Sequence, residues 1–93
     1  MENQHRQIKG YRELTQEEID LMNEIKSFGP QLESLVDKVK AHIGKQIEAA
    51  HGDTDELLRI NASQPGRWVS IAATDLQTGM MALTRSVAQP TFF

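Results

Sequence analysis

Apolar positions along this chain recur at intervals of three and four residues, the spacing of one face of an α-helix. The clearest case lies between residues 64 and 90. Its apolar stripe consists of Trp68, Ile71, Ala72, Leu76, Met80, Leu83 and Val87. Asp75 and Gly79 lie on the same stripe, and a stripe that includes a carboxylate and a glycine indicates close, specific packing. We expect Pro90 to end this helix.

The segment before this helix has the residues of a turn. Ser63 is the expected N-cap of the last helix, and Pro65 suits its first turn because the missing amide hydrogen of proline is not needed there. The last helix is therefore predicted over residues 64–89.

Two further helices are predicted upstream. Thr15 and Glu18 match a capping box, which predicts a short helix over 15–27. The segment 28–30, Phe-Gly-Pro, is expected to break this helix because proline lacks an amide hydrogen and disfavours a helical conformation of the residue before it. Beyond the break a second apolar stripe follows, comprising Leu32, Leu35, Val36, Val39, Ile43, Ile47 and Ala50.

The end of this middle helix has two interpretations. Gly52 could stop the helix, with Asp53 or Thr54 capping a new one, or the helix could continue through a weak point. Leu57 keeps the helical phase, so we expect one long helix over 30–60 with a kink at 52.

The pattern predicts an all-α fold: one domain over 1–93, with a basic arm at 1–14, a short helix and two long antiparallel helices forming a hairpin. Two paired helices would leave Val69, Ala73 and Met81 exposed. The chain has 93 residues, is 39% hydrophobic and contains no cysteine. Because so short a chain seldom buries enough apolar surface alone, we expect a homo-oligomer.

Charge and motifs exclude several functional classes. The net charge is −3, which argues against general DNA or RNA binding. No apolar run is long enough to span a membrane, and the segment 1–6 is not a signal peptide. The three histidines, His5, His42 and His51, do not have the spacing of metal ligands. We therefore expect no metal, no cofactor and no catalytic residue, so the protein is not predicted to be an enzyme.

The arm at 1–14 contains the first candidate binding group. It combines Arg6, Lys9 and Arg12 with Tyr11, the single tyrosine of the chain. An aromatic ring beside cations suits a nucleobase and its phosphate. The alternative, which composition alone favours, is a solvated basic tail whose tyrosine packs on the nearest helix.

Lys26 and Arg67 are the other candidates. Lys26 precedes the expected break. It could complement the dipole at the C-terminal end of the first helix. Alternatively, it could bind a phosphodiester together with the free N–H groups at the start of the next helix. Arg67 follows Pro65 and Gly66 in a first turn, where a cation opposes the dipole; it could bind phosphate or form a surface or intersubunit ion pair.

Several motifs resemble those of a small phage family of cyclic-oligonucleotide sponges, which blunt the bacterial CBASS defence. They are Arg67-Trp68, Thr74-Asp75-Leu76-Gln77, Met81-Ala82-Leu83-Thr84-Arg85 and Ala88-Gln89-Pro90, with Tyr11-Arg12-Glu13-Leu14-Thr15 and Glu24-Ile25-Lys26 upstream. The resemblance covers nearly the whole chain except the region 49–63.

The resemblance implies a helical hairpin that assembles into a homohexamer and binds cyclic di- and trinucleotides without cleaving them. Tyr11 would stack on a purine of a cyclic dinucleotide such as cGAMP, and Lys26 of a neighbouring chain would meet its phosphates. Arg67, Pro65 and Gly66 would line the trinucleotide pocket. The protein would act in the cytoplasm of the infected bacterium. Two rival functions are a structural or adaptor oligomer without a small ligand, and a small phosphodiesterase.

Overall fold

Three helices account for most of the chain. The structure is a computed structural model that describes residues 12–93. The helices are α1 (Gln16–Ala49), α2 (Thr54–Ser63) and α3 (Pro65–Ala88), and this part of the chain contains no β-strand. The predicted all-α class is confirmed.

The first helix begins as predicted and then continues past the expected break. The Thr15 side chain accepts a hydrogen bond from the Glu18 backbone N–H, and the Glu18 carboxylate accepts one from the Thr15 N–H, so the capping box is present. However, α1 runs without interruption from Gln16 to Ala49 with Pro30 inside it. The predicted separation into helices at 15–27 and 30–60 is therefore wrong.

Packing explains why Pro30 does not end α1. Five half-buried positions keep a three-and-four spacing across the proline: Met22, Ile25, Gly29, Leu32 and Val36. An interior proline costs a helix about 3 kcal/mol. Breaking α1 here would rotate one half of this stripe away from α3 and expose its apolar side chains to water, so packing along the stripe offsets the cost of the proline.

The predicted continuity at Gly52 is also wrong. Helix α1 stops at Ala49, and Gly52 has a positive φ of 87°, a conformation that glycine adopts without strain. Asp53 then accepts a hydrogen bond from the backbone N–H of Glu56 at 3.1 Å and caps α2. The alternative of a stop and a restart at Asp53 is the one observed.

The start of α3 differs from the prediction in one residue. Ser63 belongs to α2, and its hydroxyl donates to the Ile60 carbonyl, so Ser63 is not the N-cap. That position is held by Gln64, which is left-handed with a φ of 51°. Pro65 occupies the first turn, as predicted, and α3 ends at Ala88, one residue before the predicted bound and ahead of Pro90.

Helices α1 and α3 lie antiparallel. Arg12, just before α1, bonds carbonyls at the end of α3, and a Cβ built at Gly29 would lie 3.9 Å from Cε of Met80. The half-buried residues of α3, which include its face toward α1, are Pro65, Val69, Ile71, Ala73, Met80, Thr84, Val87 and Ala88.

This face corrects the predicted stripe of α3. Val69 and Ala73 are half-buried, whereas Trp68 is 57% exposed and Gly79 has no atom near a built Cβ. Ile71, Met80 and Val87 of the predicted stripe are half-buried, as expected, whereas Ala72, Leu76 and Leu83 of that stripe are exposed. Met81 is exposed, as predicted.

The molecule is long and has little interior. Its dimensions are 63 × 23 × 16 Å, and its radius of gyration is 20.2 Å, where a compact domain of this length has about 12 Å. Among the described residues only Ala50, directly after α1, and Ile60, in α2, are buried. Most apolar side chains therefore remain partly accessible in a single chain.

Candidate functional site

Of the predicted basic arm at 1–14, the structure describes residues 12–14. Tyr11, Arg6 and Lys9 lie outside the described residues, so the predicted role of Tyr11 stays a prediction. Arg12 is described, and its guanidinium is occupied by protein groups. It donates to the carbonyls of Ala88 at 3.2 Å and Val87 at 2.8 Å and forms a two-pronged ion pair with Glu18.

The Arg12–Glu18 pair shifts the protonation of both partners. Hydrogen bonding by the Arg12 guanidinium, followed by the backbone N–H of Thr15, lowers the pKa of Glu18 from 4.5 to about 2. The same pair raises the pKa of Arg12. Glu18 is thus a carboxylate throughout the physiological pH range, and it remains an acceptor for Arg12.

Lys26 lies in the first third of α1, ten residues after Gln16, and it is exposed. No helix begins at Pro30, so the anion site expected beside Lys26 at a second helix N-terminus does not exist. Instead, Pro30 has no N–H to donate to the carbonyl four residues earlier, which is that of Lys26. The position therefore offers a cationic side chain and a backbone acceptor without its usual helical donor.

Pro65, Gly66 and Arg67 come together in the first turn of α3. This turn has no side-chain cap and no acidic residue. The first helical hydrogen bond runs from the Trp68 N–H to the Gln64 carbonyl, so the N–H groups of Gly66 and Arg67 lie before the helical ladder. The Arg67 guanidinium lies 5.0 Å from the centroid of the Trp68 ring.

This first turn has the chemistry of an anion site. Backbone N–H groups and the positive end of the helix dipole favour negative charge, and a guanidinium matches the geometry of a phosphate. The ring of Trp68 holds Arg67 close to the helix start by a cation–π contact. The three consecutive residues predicted for the trinucleotide pocket thus form the first turn of α3, and their role in binding stays a prediction.

One chain does not bring Lys26 and Arg67 together. Ile25, the neighbour of Lys26, shares a groove with Leu83 of α3. Sixteen residues separate Arg67 from Leu83, which corresponds to about 24 Å along a helix. The two groups therefore belong to separate regions of the surface.

One open face of the hairpin is strongly apolar. A groove of about 440 Å³ lies there, lined by Leu21, Glu24, Ile25, Phe28, Leu32, Met80 and Leu83. Phe28 is 49% exposed and Leu83 is 54% exposed. Leu35 and Trp68 add further exposed apolar surface. We call Leu21, Phe28, Leu35, Trp68 and Leu83 the open apolar residues.

Two other kinds of feature are absent from residues 12–93. No helix there is long and apolar enough to cross a membrane. Within the same range no group of three or more His, Asp or Glu side chains is placed to hold a metal ion.

Comparison with known proteins agrees with this architecture. Residues 3–88 match the family model described as the Acb2/Tad1 hairpin domain. The chain belongs to this family. It is also 42% identical to Anti-CBASS protein 2 of Pseudomonas phage JBD67, across 97% of both chains. The family resemblance drawn from the sequence motifs is confirmed, and the antiparallel α1 and α3 form the hairpin.

Sequence reasoning missed two features of the surface. Arg12 was grouped with the cations of the arm, yet its partners are Glu18 and the end of α3. The capping box indicated that Glu18 is held in place, but a contact across 75 positions cannot be deduced from periodicity. The open apolar residues were partly visible as a stripe, although Trp68 and Leu83 were assigned to the seam between helices.

Proposed function

We propose that this protein captures cyclic di- and trinucleotide second messengers without cleaving them and thereby keeps CBASS effectors inactive in the cytoplasm of an infected bacterium. The observation that carries the proposal is the 42% identity to Anti-CBASS protein 2 over nearly the whole chain. A sponge acts by stoichiometric capture, so it needs affinity and copy number and no catalytic group.

The start of α3 supports a trinucleotide pocket formed by Pro65, Gly66 and Arg67. Its N–H groups have neither a capping side chain nor an acidic neighbour, and phosphates of a cyclic ligand could accept from them. The starts of α1 and α2 each have a side-chain cap and two first-turn acids. Among the described helices, α3 therefore has the N-terminus most favourable to an anion.

The position of Lys26 supports a dinucleotide site shared between two protomers. Lys26 lies ten residues after Gln16, about 15 Å along α1, whereas Tyr11 precedes the helix. A tyrosine before α1 and a lysine within it meet most readily when they come from different chains. A two-fold axis between the chains would give a cyclic dinucleotide the same residues on both sides.

The open apolar residues support assembly, and we propose the homohexamer that the family resemblance implies. The accessible surface is 7563 Å², whereas a compact monomer of this mass exposes about 5,400 Å². The excess is of the size that subunit interfaces bury. A purely structural adaptor would also assemble, so assembly does not distinguish it from a sponge. Ligand binding is the measurement that does.

Calorimetry with cGAMP and with cyclic tri-AMP tests the proposal. We expect both ligands to bind and to be recovered intact after the protein is denatured. A linear product would indicate a phosphodiesterase, and no heat with either ligand would indicate an adaptor.

Variants then locate the two sites. Tyr11→Ala and Lys26→Ala are expected to abolish cGAMP binding and leave cyclic tri-AMP binding unchanged, while Arg67→Ala has the reverse effect. Lys38→Ala removes another exposed lysine of α1 and is the matched control. Sedimentation verifies that the assembly persists; if it dissociates in Tyr11→Ala or Lys26→Ala, those residues are structural and the site assignment is wrong.

A further inference from the structure

We propose that the open apolar groove beside Phe28 receives the aromatic side chains that follow α3 in a second copy of this chain. Residues 91–93, which end in Phe92 and Phe93, lie directly after Pro90, and we call them the aromatic tail. The inference rests on the proposed assembly and adds which two surfaces meet in it. The family resemblance assigns neither surface.

The aromatic tail is held against α3 while one of its rings stays in solvent. Gln89, with a φ of 53°, turns the chain at the end of α3. An Nη of Arg85 then donates to the Phe92 carbonyl at 2.7 Å, and a cavity of about 430 Å³ lies between Arg85 and residues 90–93. Phe93 is nevertheless fully exposed, and Phe92 is 44% exposed. Because the backbone is already held, less entropy is lost when these rings bind another surface.

The tail lies on the other side of α3 from the groove of its own chain. Successive residues of a helix turn by about 100°, so Arg85 is rotated by about 200° from Leu83. Leu83 lines the groove, whereas Arg85 holds the tail. Helix α3 therefore stands between the tail and the groove within one chain, and a tail that enters the groove comes from another copy.

The chemistry of the groove suits an aromatic side chain. Of its seven lining residues only Glu24 is charged. A second groove along α1 and α3 has three charged lining residues, Glu33, Asp37 and Lys40. Aromatic rings bury a large apolar area and pair favourably with other rings, such as that of Phe28. The groove beside Phe28 is therefore the one that favours the tail.

The surface area of the chain is sufficient for such contacts. The accessible surface is 7563 Å², which exceeds that of a compact monomer of this mass by about 2,100 Å². A standard interface takes about 800 Å² from each partner. One chain can therefore give its tail to one contact and its groove to another, and in a closed assembly every copy uses both surfaces.

Cross-linking between mixed copies tests this contact, because the chain contains no cysteine. Thr91→Cys places a thiol on the tail and keeps both phenylalanines, and Glu24→Cys places one at the groove. We expect a short bis-maleimide to join the two variants after they are mixed and reassembled, with the product identified by mass spectrometry. Glu33→Cys is the matched control, because nine helical residues place Glu33 on the opposite side of α1 from Glu24. It should give no such product.

A double-mutant cycle then measures whether the tail and the groove interact. Phe93→Ala and Leu83→Ala should each raise the concentration at which the assembly is half dissociated by about tenfold in sedimentation. The double variant should raise it little further, because both changes remove one contact. Leu58→Ala is the control: Leu58 is 63% exposed and lies outside the groove, so its effect should add to that of Phe93→Ala. Circular dichroism above the dissociation range verifies that the variants fold.

Three results would overturn the contact. They are a cross-link from Thr91→Cys to Glu24→Cys no stronger than to Glu33→Cys, additive effects of Phe93→Ala and Leu83→Ala, and a product formed only within a chain that carries both thiols. If the unaltered protein sediments as a single chain, the proposed homohexamer is wrong and the contact falls with it. If the unaltered protein assembles and any of the three results is obtained, only this contact is wrong.

Discussion

The two ends of the hairpin are held together in different ways. At the end where α1 begins and α3 ends, Arg12 joins Glu18 to the carbonyls of Val87 and Ala88. We call these four residues the clasp and this end the clasp end. At the turn end, where α2 connects α1 to α3, lie the two buried apolar residues Ala50 and Ile60.

The ends also differ in how they use their free backbone groups. The clasp end satisfies the last carbonyls of α3 with a side chain of the same chain. The turn end leaves the first N–H groups of α3 without a capping side chain, next to Arg67. The start of α3 thus keeps N–H groups without a capping side chain, as the proposed trinucleotide pocket requires, and a helix without an N-cap is less stable.

The largest expected effect is at the turn end. Ile60→Ala removes most of a side chain that is 3% exposed, and such a change costs about 2–5 kcal/mol. We expect the free energy of unfolding, measured in urea, to fall by that amount. Leu58→Ala on the same helix is the control, because Leu58 is 63% exposed and its loss should cost less than about 0.5 kcal/mol. Equal losses in the two variants would show that the turn end has no distinct core.

Gly66→Glu tests whether the start of α3 sacrifices stability for binding. A Cβ at Gly66 meets no atom within 4 Å, and a first-turn acid complements the helix dipole. Glutamate also has a higher helix propensity than glycine, so we expect the free energy of unfolding to rise by about 1 kcal/mol. The added charge should sharply weaken cyclic tri-AMP binding in calorimetry. Gly66→Ala should gain stability without the electrostatic loss of affinity; if Gly66→Glu binds cyclic tri-AMP normally, the ligand does not approach this turn.

The caps of α2 and α3 provide a smaller contrast. Asp53→Ala removes the side chain that accepts from the Glu56 N–H, and loss of an N-cap costs about 1 kcal/mol. Gln64→Ala should change the free energy of unfolding much less, because the Gln64 side chain makes no cap hydrogen bond. Urea denaturation of both variants measures the difference. A comparable loss in Gln64→Ala would mean that α3 has a cap after all.

The smallest expected effect is the pH dependence of the clasp, since the pair is partly exposed. The pKa of Glu18 is lowered from 4.5 to about 2 in the folded protein, so its contribution is complete above about pH 5. It should be lost as the pH falls towards 2. We expect the Tm difference between the unaltered protein and Glu18→Gln to disappear over that interval. A Tm difference that persists unchanged down to pH 2 would contradict this role of Glu18.

Local signals in the sequence predicted much of the fold. The capping box at Thr15, the proline in the first turn of α3 and the end of α3 before Pro90 all follow from residue type and position. These features depend on a few neighbouring residues, so a single sequence contains the information they need. The interruption at Gly52 was also foreseen as one of two interpretations.

Errors arose where distant packing overrides local preference. Pro30 disfavours a helix, yet α1 continues because its stripe packs on α3 on both sides of the proline. The unbroken spacing from Met22 to Val36 was the available signal. The clasp could not be predicted at all, because the approach of Arg12 to Val87 depends on how two helices pair, and Tyr11 stays a prediction.

The scarcity of buried side chains in a single chain makes the protein's stability depend on its concentration. If the open apolar residues are covered only in the assembly, the folded state gains free energy from each added copy, and its population rises steeply with concentration. The small number of copies present early in infection would then be unassembled, short-lived and susceptible to host proteases. Protection of the phage would begin abruptly once translation passes a threshold, so the strength of the promoter would matter as much as the affinity of the pocket.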